Sequence, residues 1–182
     1  MSTQETLEQK KIKDLLSELA SKEEKRQIKA VQALKVCGNE TVIEPLLVVL
    51  SNDPTDPLQK EIMDLLNSAK STKVPAEIAK ALVNKRFKSI RQLLLTSIWN
   101  SGLDYRPYIT EIVTAATEGE MLDALECITI IENIDEEFSE DQLFEPLIVL
   151  TNYISSNKSE QGPKMDLIKE ITQELQNRNN LL

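Results

Sequence analysis

The stretch IEPLLVVLSND, residues 43–53, decides how this chain folds. Pro45 opens a leucine- and valine-rich run that ends in polar residues, and a second apolar stretch follows at residues 58–69. Proline is tolerated in the first turn of a helix, where its missing N–H would have had no partner. The stretch therefore predicts two α-helices joined by a short turn.

The same arrangement recurs along the chain. Pro75, Pro107 and Pro146 open further apolar runs, at successive spacings of 30, 32 and 39 residues beginning from Pro45. Each run is followed by a second apolar stretch, at residues 90–101, 121–131 and 165–175. A period in this range is typical of a solenoid of helical hairpins, in which stacked neighbours bury one continuous core.

The composition agrees with an all-α fold. The 182 residues are 41% hydrophobic and 28% charged, with 4% aromatic residues and only four glycines. Few aromatic residues and few turn glycines disfavour a sheet-rich fold with tight hairpins. The two cysteines, Cys37 and Cys127, are interpreted as buried free thiols.

Capping residues place the helix ends. Ser21 with Glu24 and Ser139 with Gln142 fit the capping box, and Gly38, Gly102 and Asp104 mark further ends or starts. The resulting ten helices are predicted at residues 3–20, 22–37, 40–52, 57–70, 74–84, 87–101, 105–117, 119–133, 139–154 and 160–177. They pair into five repeats within a single domain, 1–182, at residues 3–38, 39–70, 71–102, 103–134 and 135–177.

The second helix of each repeat shows a regular register. The matching core positions are expected to be Ala30, Ile62, Leu94 and Leu125. The opposite stripe, which a stacked array would present on its concave side, is expected to run through Ile28, Val31 and Lys35, then Lys60, Met63 and Asn67, then Gln92, Leu95 and Trp99, then Asp123, Glu126 and Ile130. Trp99 is either an exposed anchor for a protein partner or a core residue packed between repeats.

The residues that carry this pattern resemble the HEAT-repeat family. The run 43–53, then Leu58, Gln59 and residues 62–66, is similar to a HEAT repeat, and residues 74–91, 106–122 and 144–147 follow the pattern more loosely. Asp53 matches the Asp of the family's inter-helix turn, and Arg91 matches its usual Arg. The resemblance implies a HEAT-like, armadillo-like α-solenoid, a right-handed α-α superhelix of about five helical hairpins that binds protein.

Charge is distributed unevenly over an acidic chain of net charge −9. Residues 70–91 hold seven basic residues and one acid, whereas residues 103–145 hold thirteen acids and one Arg. One interpretation is a bipolar surface that steers charged partners. The other is that these residues form ordinary solvated helix faces.

A non-enzymatic scaffold for protein–protein interaction is the leading functional hypothesis. The chain has no histidine, and no phosphate loop, CxxC pair or nucleophile elbow, so we expect no catalytic residues, metal or cofactor. The candidate binding residues are Trp99, Leu95, Arg91, Lys88, Arg86 and Lys85. The partner protein is not identified by the sequence, and a homo-oligomer is left open.

Two alternatives come from the same resemblance. HEAT-like alkylpurine DNA glycosylases imply nucleic-acid binding by the basic and aromatic residues of segment 85–99. The acidic balance of the chain, with a pI near 4.7, disfavours that alternative. Some HEAT-like proteins handle bound chromophores, so a lyase-like chaperone is a further hypothesis that rests on analogy of fold alone.

The expected location is the cytoplasm. Residues 1–20 contain no apolar run of the length found in signal peptides. The longest nearly uncharged run, residues 45–52, is too short to cross a bilayer. We therefore expect no membrane association.

Overall fold

The computed structural model describes residues 3–159 and 161–179, and this part of the chain forms α-helices without any strand. The all-α prediction is thereby confirmed. The helices are α1 (Thr3–Leu19), α2 (Glu24–Cys37), α3 (Ile43–Leu50), α4 (Asp56–Asn67), α5 (Val74–Leu82), α6 (Arg91–Ser101), α7 (Ile109–Glu118), α8 (Met121–Glu132), α9 (Glu140–Ser156) and α10 (Pro163–Asn179). Short 3₁₀ turns precede α3, α6 and α7, at Glu40–Val42, Lys85–Ile90 and Arg106–Tyr108.

Local side-chain chemistry explains where these turns begin. The side chains of Asn39, Asn84 and Asp104 each accept a hydrogen bond, 3.0 Å long, from the backbone N–H two residues later. Short polar side chains of this kind compete for backbone donors and so favour the start of a helix. Gly102 ends α6 in the left-handed conformation, with φ of 65°, which glycine adopts without steric cost.

Two predicted helix starts have different outcomes. The Ser139–Gln142 capping box is present at the start of α9. The Ser21–Glu24 box is wrong, because α2 begins at Glu24 and the Ser21 hydroxyl accepts instead from the N–H of Glu23. The last predicted helix was placed from residue 160, which lies outside the described residues, and α10 begins at Pro163.

The chain divides into two units, and α5 contains the division between Glu77 and Ile78. In the first unit α1 packs against α2 and α3, and α4 packs against α2 and α3. The core between them is aliphatic and includes Val31, Leu46 and Ile62, none of them measurably exposed. A polar contact also joins the α3–α4 connection to the start of α2, where the Thr55 hydroxyl donates to Glu24 at 2.6 Å.

The second unit centres on α8, which packs against α6, α7 and α10. Helix α9 packs against α7 and α10. Its proline, Pro146, lies inside the helix and is buried, rather than in the first turn as in α3 and α5. Helix α9 therefore starts about two turns before its proline, which accounts for the longer spacing of 39 residues.

A lysine links α10 to the end of α7 within this second unit. Lys164 in the first turn of α10 donates from Nζ to the carbonyl oxygens of Thr117 and Gly119, at 2.8 and 2.6 Å. These carbonyls lie at the end of α7, where helix carbonyls lack partners within the helix. A cation at this position also interacts favourably with the negative end of the helix dipole.

Candidate functional site

Exposed apolar side chains on α6 and α8 form the candidate site. Trp99, Leu122 and Leu125 are 45%, 47% and 46% exposed, and we name these three residues the α6–α8 face. Leu122 and Leu125 stand three positions apart on α8, so they lie on one side of that helix. Helices α6 and α8 pack against each other, which brings the indole beside α8.

A hydrogen bond fixes the orientation of Trp99. Its indole Nε1 donates to Oε2 of Glu126 on α8, at 3.0 Å. Glu126 lies four positions after Leu122, so the indole reaches the side of α8 that carries Leu122. Because the bond is made at the ring edge, it does not itself cover the faces of the indole ring.

A cleft of about 270 Å³ adjoins the α6–α8 face at the ends of α6 and α8. The residues that line it include Trp99, Tyr105 and Ile130 and the acidic residues Asp104, Asp135 and Glu136. We name these six residues the Trp99 cleft. The cleft is therefore amphipathic, with an aromatic side and an anionic side.

The charge of Asp104 is already partly compensated within the protein. Arg106 donates to its two carboxylate oxygens, from Nε and Nη2, at 2.9 Å each. These hydrogen bonds hold the pKa of Asp104 below its ordinary value, against a smaller opposing effect of burial. Arg106 also donates from Nη1 to the carbonyl oxygen of Glu137 at 2.9 Å, which ties the α6–α7 connection to the acidic loop that precedes α9.

Tyr105 supplies the floor of the cleft and remains protonated. Its side chain is 3% exposed, and burial raises the pKa of the phenol well above its usual value, more than a hydrogen bond to Ser101 lowers it. The cleft thus carries its negative charge on the carboxylates alone at physiological pH.

Two of the six residues expected at a binding surface are in the interior. Leu95 has no measurable exposure and Arg91 is 4% exposed. Both were candidate binding residues, but α6 buries Arg91 and Leu95 against its neighbours. Trp99 alone of the three reaches solvent.

The other three candidates, Lys85, Arg86 and Lys88, are exposed but stand apart from Trp99. They belong to the 3₁₀ turn that precedes α6. Trp99 lies in the last turns of α6, roughly 12 Å farther along the helix axis than Arg91 at 1.5 Å per residue. The structure therefore pairs Trp99 with the acidic part of the chain and does not assemble a continuous basic and aromatic patch over segment 85–99.

The expected register of α8 is also corrected. Leu125 was matched to the core positions Ala30, Ile62 and Leu94, but it is exposed, whereas Ala124 is fully buried. Several members of the stripe expected on the opposite side are likewise buried, namely Val31, Leu95, Asp123 and Ile130. Asp123 is buried because it closes a capping box with Glu120, whose N–H donates to it at 2.9 Å.

Sequence reasoning missed Leu122 and Leu125 as site residues, and it placed Glu126 on the expected concave stripe without pairing it with Trp99. A signal was present: the capping box at Glu120 sets the helix start, and the apolar periodicity counted from there places Ala124, Cys127, Ile128 and Ile131 in the core. Leu122 and Leu125 are then, with Met121, the apolar residues of α8 left exposed. The contact of Glu126 with Trp99 depends on the packing of α6 on α8 and has no local signal.

A larger cleft, about 690 Å³, lies in the first unit between α1, α3 and the α3–α4 connection. Several of its polar groups already have partners within the protein. Glu24 accepts from Thr55 at 2.6 Å, and Gln27 donates to the carbonyl oxygen of Leu19 at 3.1 Å.

Within the described residues, no cluster of three or more Cys, Asp and Glu side chains is arranged to hold a metal ion. No helix there is long and apolar enough to cross a membrane. Comparison with known protein families, curated proteins and solved structures finds no match. The function is therefore argued from the geometry of the site.

Proposed function

We propose that the chain is a short HEAT-like helical-repeat scaffold, a right-handed α-α superhelix of about five hairpins, that binds another protein without catalysing a reaction. The packing of α8 on both α6 and α10 supports this proposal, because second helices of successive hairpins are neighbours in a stacked array. The packing of α7 on α9 is the equivalent contact between first helices.

The observation that carries the binding role is the exposure of the α6–α8 face. Trp99, Leu122 and Leu125 are each close to half exposed on two adjacent helices. Clustered exposed apolar side chains of this size mark interaction surfaces more often than scattered ones do. Tryptophan is the residue type most enriched among those that dominate binding energy at protein interfaces.

The polar surroundings fit an interface as well. Glu126 borders the face and already holds the indole by a hydrogen bond of 3.0 Å. A side chain that is fixed before binding loses less conformational entropy when the partner arrives. The face thus combines an ordered aromatic anchor with a polar edge, as protein interfaces do.

A pull-down from extracts of the native host tests this role. The wild-type chain is compared with the double variant Trp99→Ala, Leu125→Ser and with Phe144→Ala, a matched control that removes a 71% exposed aromatic residue from α9. We expect one or more proteins to be retained by the wild type and the control and lost with the double variant. Equal retention by the double variant would contradict the proposal for this face.

A further inference from the structure

The Trp99 cleft has the chemistry of a site for one cationic side chain. We propose that it holds a lysine or arginine from a basic segment of the partner protein. This inference rests on the proposed scaffold function and adds the chemical class of the segment that the site recognises. A basic partner segment is the opposite of the acidic partner that would be expected if Trp99 lay among the basic residues of segment 85–99.

The first argument is the sign of the charge. Asp104, Asp135 and Glu136 line the cleft, and no Lys or Arg among the described residues lines it with them. Glu126 adds a further carboxylate next to the indole. Arg106 offsets one of these charges through its bidentate contact with Asp104, so an excess of negative charge remains. Complementary charge steers a basic segment toward the cleft and disfavours an acidic one.

The second argument is the aromatic wall. An ammonium or guanidinium group over the face of an aromatic ring is attracted by the ring's quadrupole, and tryptophan binds cations best. The Trp99 indole is 45% exposed and is held at its edge by Glu126. The aliphatic stem of a lysine or arginine would lie along the exposed indole while its charged end reaches the carboxylates.

The third argument is size. The volume of about 270 Å³ lies just below the range of roughly 300–1,000 Å³ that accommodates drug-sized ligands. The cleft is open to one long side chain and too small for a folded element. The α6–α8 face beside it would contact the rest of the segment.

The protein contains an internal counterpart of this arrangement. In a neighbouring cleft, which Asp135 and Glu136 also line, the guanidinium of Arg178 lies 5.6 Å from the centroid of the Phe138 ring. Arg178 also pairs with Glu174 at 2.8 Å. The same acidic loop thus already flanks one cation that stacks on an aromatic ring, and the Trp99 cleft offers the equivalent position to a cation from outside.

Titration of the full chain with a short peptide tests the proposal. The probe carries alternating arginine and lysine among glycine and serine, and the comparison peptide has glutamate in their place. Fluorescence of Trp99, the only tryptophan, reports binding at the cleft, and calorimetry gives the affinity. We expect saturable binding of the basic peptide, a change in the Trp99 emission, and weaker binding as salt is raised.

Variants then separate the cleft from bulk charge. Asp135→Asn with Glu136→Gln should weaken the basic peptide about tenfold or more. The matched control, Asp14→Asn with Glu170→Gln, removes the same charge from two exposed positions on α1 and α10 and should leave the affinity within about twofold. Trp99→Leu, followed by calorimetry, should weaken binding by a similar factor to the cleft variant.

Absence of binding, equal binding of the glutamate peptide, or equal losses in the cleft variant and the control would each overturn the proposal. Failure of the proposed specificity for a basic segment can be distinguished from failure of the proposed scaffold function. If a partner captured through the α6–α8 face is retained equally by the Asp135→Asn, Glu136→Gln variant, the basic specificity is wrong and the scaffold stands. If no partner depends on the face at all, the scaffold proposal itself fails.

Discussion

Arg91 and Leu82 are joined by a buried hydrogen bond, in which the guanidinium Nε donates to the carbonyl oxygen of Leu82 at 3.3 Å. This bond satisfies the end of α5 from the first residue of α6. The rest of the guanidinium makes no close polar contact. Its Nη1 has no hydrogen-bond partner, and its Nη2 lies 3.8 Å from the exposed carboxylate of Glu118. The position of Arg91 is therefore a compromise between a useful backbone contact and the cost of burying a charge.

We expect Arg91→Ala to destabilise the protein by about 1–3 kcal/mol, because it leaves the Leu82 carbonyl without its buried donor. Arg91→Met should cost less than Arg91→Ala, since it fills the space and removes the buried charge. Urea denaturation followed by circular dichroism measures both. A methionine variant that is the less stable of the two would show that an apolar side chain of this length does not fit the space that the arginine occupies.

Trp99 and Leu95 lie one helical turn apart on α6 but should respond oppositely to truncation. Leu95→Ala should cost about 2–5 kcal/mol, as expected for a fully buried leucine. Trp99→Ala should cost about 1 kcal/mol or less, because the indole is nearly half exposed. Urea denaturation followed by circular dichroism is suitable, since the second variant lacks the fluorophore. Comparable losses in the two variants would place Trp99 in the core.

The two thiols should differ in reactivity. Cys127 is fully buried, donates its thiol to the carbonyl oxygen of Ile112 at 3.1 Å, and has a pKa raised by that burial and by Asp123. Cys37 is partly exposed, which corrects the expectation that both thiols are buried. In the folded protein a thiol-specific reagent should modify Cys37 and spare Cys127 until denaturant is added. The variant Cys37→Ser should then show almost no reaction in the native state.

Asp104 should make a small, pH-dependent contribution to stability. Its pKa in the folded state lies below the unfolded value of about 3.9. The stabilisation is therefore fully present at pH values above the pKa of the unfolded state, and it is lost as the pH falls through the pKa of the folded state. We expect it to be about 1 kcal/mol or less, because the carboxylate is half exposed and solvent screens the pair.

The variant Asp104→Asn isolates this contribution, because asparagine keeps the oxygen that accepts from the Arg106 N–H. The free energies of unfolding of wild type and variant should differ at pH 7 and converge near pH 2. A difference that persists unchanged into acid would mean that the hydrogen bonds, and not the charge, account for it.

Local chemistry explains how much of the fold was predictable from sequence. Gly38, Gly102, Asn39 and Ser139 act within a few residues of themselves, so the helix ends they set could be read directly. The register of α8 was misjudged because the Glu120–Asp123 capping box was overlooked and the repeat was assumed to place Leu125 with Leu94.

The candidate site was only partly predictable, for a different reason. Trp99 was singled out from its residue type and position, and the structure leaves it exposed. Its pairing with Glu126 joins residues 27 positions apart, and depends on which faces of α6 and α8 meet. Burial of Arg91 and Leu95 depends on the same packing. A helical period alone does not distinguish a face covered by a neighbour from one left to solvent.

The two carbonyls held by Lys164 lie 47 and 45 residues before it in the chain. When α10 detaches, the end of α7 loses these donors at the same moment. Local opening at the start of α10 and fraying at the end of α7 are therefore one event and not two. The amide protons of both segments should accordingly exchange with deuterium at matching rates, even though they belong to helices far apart in the chain.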